Sequence, residues 1–144
     1  MNYYFGFSWM GLIIFLLPML PNLIYFFIPP SDESGNKANS HSFLDFLEHG
    51  SQGIFIFLLI FNKSTQVSEI ISTYTIAIVI LLIFYYMLWI FYFTGNKNLV
   101  VLLGMAIIPV VYFVLAEIWL HQYMAIIPTL FFGSIHLIIT CKDY

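Results

Sequence analysis

Two stretches of this sequence place titratable side chains at helical spacing. Asp45, Glu48, His49 and Gln52 fall at i, i+3, i+4 and i+7, so carboxylates, an imidazole and an amide share one helix face. Thr129, His136 and Thr140, with Gly133, recur at similar spacing near the C-terminus. A carboxylate and an imidazole that meet can exchange a proton, because imidazole ordinarily titrates near neutrality. Both stretches are embedded in apolar sequence. Ionisable groups held at membrane depth are costly and mark binding, proton or ion sites.

Asn22 and Tyr86 are further polar groups inside apolar runs. Glu117 and His121, at i and i+4, have the spacing of a metal-ligand pair, but an interfacial helix end shows the same residues and is the preferred reading. His49 and His136 could in principle clamp a b-type haem, though no other residue supports it. The cofactor is left open, and so is catalysis: no Gly-rich phosphate loop, Cys/His zinc spacing or Gly-x-Ser-x-Gly elbow occurs.

The elements that carry these groups follow from composition. Of 144 residues, 62% are hydrophobic, 20% aromatic and 8% charged, against roughly 25% charged in a soluble domain. A soluble globule of this size could not bury so much apolar surface. The lipid bilayer is therefore the expected solvent. The net charge of −3 and the lack of any basic run argue against nucleic acid as a partner. No arginine is present, which weakens any reading based on bidentate phosphate recognition. Cys141, alone, cannot form an intrachain disulfide.

Five apolar stretches approach the ~20 residues needed to cross ~30 Å of hydrocarbon. They run over 3–28, 43–61, 70–93, 99–120 and 124–141. The expected fold is all-α, a polytopic integral membrane helical bundle of five transmembrane helices in a single domain. The first stretch reads as a span rather than a cleavable signal peptide, since no lysine precedes it and no small-x-small site follows. Ser42 is suited to cap the second span, Gly50 and Gly53 to admit a neighbouring helix, and Pro18, Pro21, Pro109 and Pro128 to kink their helices. Trp9, Trp89 and Trp119 read as interfacial anchors.

Span parity sets relative depth. At ~1.5 Å per residue, Asn22 lies ~9 Å inside the end of the first span. Glu48 lies ~8 Å inside the start of the second, and His136 ~8 Å inside the end of the fifth. Asn22, Glu48, His49, Gln52, Tyr86 and His136 thus form one polar layer, the candidate ligand-binding or proton-linked site. The opposite faces of the second span carry Phe46, Phe55, Phe57, Leu58 and Ile60. Lys37, Lys97 and Lys142 lie on the layer's side and Lys63 on the other, so the positive-inside rule makes the C-terminus cytoplasmic and the N-terminus external in a cell membrane.

Leu20-Pro21-Asn22-Leu23-Ile24-Tyr25, Pro29-Pro30 and Phe131-Phe132-Gly133-Ser134-Ile135-His136 resemble small multi-spanning membrane proteins of low-GC Gram-positive bacteria. The resemblance implies a membrane bundle and carries no activity to any residue. Three functions remain. The favoured one is small-solute or ion binding and transport, with a homo-oligomer as the expected partner arrangement. The others are a membrane-embedded enzyme or cofactor protein acting on an apolar substrate, and an accessory or immunity-type subunit packed on a larger membrane partner.

Overall fold

A computed structural model of the protein describes residues 3–28, 42–64, 70–96 and 98–143. The loop containing Pro29-Pro30 and Lys37, together with Glu69 and Lys97, lies outside the described residues, as does the side chain of Ser42. Five helices account for most of the described chain: α1 (Trp9–Phe27), α2 (Ser42–Phe61), α3 (Thr73–Phe93), α4 (Leu99–Trp119) and α5 (Ile126–Asp143). At 18 to 21 residues each, they span about 27–32 Å, the thickness of the hydrocarbon core. All five are long and apolar enough to cross a membrane. The architecture is an all-α helical bundle.

Local chemistry sets the starts of three helices. Ser8 Oγ accepts from Gly11 N at 3.0 Å, Ser72 Oγ from Thr75 N at 3.3 Å, and Asn98 Oδ1 from Val101 N at 2.9 Å. Each cap satisfies one of the amides that a helix start leaves without a partner. The first helix therefore begins at Trp9 and not at Tyr3. The preceding residues form β1 (Tyr3–Phe5), antiparallel to β2 (Asn62–Ser64), with Tyr4 opposite Lys63. This ribbon joins the N-terminal segment to the end of α2 on one side of the bundle, as span parity requires.

α4 is central: it packs along α3 and α5, α5 packs on α2, and α1 lies against α2, α3 and α4. The core is formed by Ile14, Phe55, Leu59, Ile78, Phe113 and Phe132 with Tyr112 and Ala116. Large apolar side chains such as Ile76, Ile90, Val100 and Ile127 point outward, which suits lipid rather than water as the neighbour.

Three expectations are corrected by the packing. Gly50 and Gly53 face open space; the close helix approaches occur at other glycines. A Cβ on Gly11 would lie 2.2 Å from the Leu59 carbonyl oxygen, and one on Gly133 would lie 2.7 Å from both Val110 methyls. Trp89 and Trp119 are buried, while Trp9 is exposed as an anchor should be. Trp89 packs against Tyr25, Tyr85 and Tyr92. Phe55 turns into the core rather than away, because it follows Glu48 by seven residues and continues the same inward face.

The two prolines of α1 are matched by two tyrosines. Proline lacks an N–H, so Pro18 and Pro21 leave the carbonyls of Ile14 and Leu17 without their intrahelical donors. Tyr112 of α4 donates its hydroxyl to Ile14 O at 2.8 Å, and Tyr86 of α3 donates to Leu17 O. In lipid an unsatisfied carbonyl is costly, and neighbouring side chains fill the gap.

Candidate functional site

Glu48 lies near the start of α2 and His136 two turns before the end of α5, and the antiparallel packing of these helices brings them to the same level. His136 Nδ1 and Glu48 Oε1 are 2.9 Å apart. The contact is both a hydrogen bond and, with the imidazole protonated, an ion pair. Glu48 is 14% exposed and His136 35% exposed, so the pair lies at the edge of the helix interface and remains accessible. Phe132, one turn earlier on α5, stacks on the His136 ring at 5.4 Å with 12° between planes. Phe132 also packs on Phe55, which packs on Phe113. The pair therefore rests on an apolar aromatic floor.

Other members of the expected layer divide. Gln52 is half-buried one turn from Glu48, and His49 is exposed. Neither has a side-chain hydrogen bond among the described residues. The structure pairs His136 with Glu48. Asn22 joins a different neighbourhood: its Nδ2 is 3.4 Å from Pro18 O and 3.5 Å from the Tyr85 hydroxyl. Tyr86 is committed to Leu17 O. Asn22 and Tyr86 thus belong to the α1–α3 contact, and Glu48 and His136 to the α2–α5 contact. An apolar groove of about 350 Å³ beside α1 and α3, lined by Leu20, Pro21, Ile24 and Trp89 among others, presents no polar surface.

A second polar cluster, read from sequence as an interfacial helix end, is instead fully enclosed. Glu117 and Thr129 have no exposed surface, and Gln122 has 2%. Thr129 Oγ1 lies 2.5 Å from Glu117 Oε1. Glu117 and His121 do not pair; His121 Nδ1 is 3.3 Å from the Tyr123 hydroxyl. The missed signal was the turn. His121 adopts φ 58°, which reverses the chain after α4 and sends Gln122 inward. Sequence offered no warning, because glycine is the usual residue in that conformation. Among the described residues, no group of three His, Cys, Asp or Glu side chains is placed to hold a metal ion.

No family model, curated protein or solved structure matches this chain.

Proposed function

We propose that this protein binds a small cationic solute or ion at the Glu48–His136 pair and carries it across the membrane in exchange for a proton. The observation that supports the reading is the 2.9 Å contact between Glu48 and His136, made across two helices within the apolar spans. With the imidazole protonated, the pair has no net charge. Loss of that proton leaves a carboxylate in the membrane, where unpaired charge is costly. A cation arriving at Glu48 restores neutrality, so proton departure and cation binding favour each other. Such mutual dependence is what coupled exchange requires.

In this reading Glu48 is the cation ligand, His136 the proton carrier, and Gln52 and His49 neighbouring polar groups at the entrance. The lysine distribution supports a site toward the cytoplasmic face of a cell membrane, with the C-terminus inside. The test uses proteoliposomes holding a pH-sensitive dye and an acid interior, with sodium, potassium or lithium added outside. At least one cation should drive proton exit, and Glu48→Gln and His136→Ala should each abolish that response. Proton exit unchanged in both variants, or absent with every cation of the panel, would sink the proposal.

A further inference from the structure

We infer that Glu117 is a second, occluded proton-binding site, whose carboxyl carries a proton inside the closed α4–α5 hairpin. The inference does not depend on the role of Glu48 and His136.

Glu117 has no exposed surface, and its one side-chain partner among the described residues is the Thr129 hydroxyl. Its second oxygen, Oε2, is buried without a partner, and so is Gln122 Oε1. Titratable groups on the surrounding elements are engaged elsewhere or turned away. His121 and Tyr123 contact each other, Tyr112 donates to Ile14 O, and Tyr74 is exposed. Lys63 follows Asn62 on β2, half-buried, and forms no ion pair with Glu117. An ionised carboxylate in this position would be a buried charge facing no cation among the described residues.

The donor count agrees. Thr129 Oγ1 lies 2.5 Å from Glu117 Oε1 and 2.7 Å from Ala125 O. A hydroxyl carries one proton, and the Ala125 carbonyl can only accept. With a proton on Glu117, the carboxyl donates to Thr129 and Thr129 donates to Ala125 O. Both contacts then have a hydrogen between them.

The turn after α4 closes over this proton. Gln122 N donates to Glu117 O at 2.8 Å, and Gln122 Nε2 donates to Asn62 O at 2.7 Å. The first contact requires the unusual φ of His121, and the second ties the turn to the end of α2. The proton can leave only when this closure opens. Thr129 and His136 share α5 seven residues apart, about 10 Å along the helix. One helix therefore touches the Glu117 carboxyl near its start and the Glu48 side chain near its end, with Phe132 between them.

Infrared spectroscopy of the protein in lipid at neutral pH tests this directly. A carboxylic-acid carbonyl band should be present, should vanish in Glu117→Gln and should persist in Glu48→Gln. Thr129→Ala should shift the band by removing its hydrogen bond, and this variant decides the matter if Glu117→Gln does not fold. Deuterium exchange of the band should be slow and about tenfold faster in Gln122→Ala, the scale of one lost hydrogen bond. No band lost in Glu117→Gln, or a band unmoved in Thr129→Ala, overturns the protonated site. Equal exchange in Gln122→Ala overturns its occlusion. Because Glu48→Gln is tested on the same band, failure of the exchange proposal leaves this result readable.

Discussion

Tyr112 shows how one hydroxyl can decide whether a proline is tolerated. Its bond to Ile14 O replaces the amide that Pro18 lacks. Tyr112→Phe should therefore lower stability by about 1 kcal/mol, the scale of a hydrogen bond between membrane helices. Adding Pro18→Ala supplies an amide at position 18 and should return much of that loss. The check is unfolding in mixed micelles, where the double variant should be more stable than the sum of the singles allows. The sequence showed these prolines and tyrosines separately. It could not show their pairing, because residues 14 and 112 are adjacent only once α1 and α4 have packed. Glu48 and His136 were legible together because helix periodicity and span parity both put them at one level. Asn22 and Tyr86 shared that level, yet depth says nothing about which way a side chain points around its helix.

Helix pairs in this bundle meet where a side chain is missing. The Leu59 carbonyl occupies the space that a Cβ on Gly11 would need, and backbone cannot move aside as a flexible side chain can. Gly11→Ala should cost about 1–3 kcal/mol through overpacking. Gly50→Ala should instead be neutral or stabilising by up to about 1 kcal/mol, since its Cβ meets nothing and glycine disfavours helix. Unfolding measurements on both variants separate the two effects, and equal destabilisation would contradict the packing described. Glycine positions were visible in sequence, but their partners were not. The five spans themselves were readable because length and apolarity suffice to define a membrane helix. β1 was not, because Tyr3–Phe5 is apolar enough to extend the first span, and only Ser8 and the pairing with β2 separate it from α1.

At the scale of the whole molecule, two polar stations lie toward opposite faces of a bundle whose outer surface is apolar. Glu48–His136 sits toward the end shared by the start of α2 and the end of α5, and Glu117–Thr129 toward the other. The proposed orientation places Cys141, exposed near the end of α5, at the cytoplasmic face. A membrane-impermeant maleimide should label Cys141 in inverted vesicles but not in intact cells. With Cys141→Ser as background, Lys63→Cys should show the opposite pattern. Labelling of both from one side would contradict the topology, because β2 and the end of α5 lie at opposite ends of the bundle.

The central claim, that proton departure and cation binding share the Glu48–His136 pair, is tested most directly by proton release. Purified protein in weakly buffered detergent solution, titrated with each of the same cations while a dye reports pH, should release about one proton per protein with at least one of them, by the exchange of charges at a single pair. Glu48→Gln and His136→Ala should release none, and Glu117→Gln should release as much as the unaltered protein. Equal release from the unaltered protein and from Glu48→Gln would contradict the account.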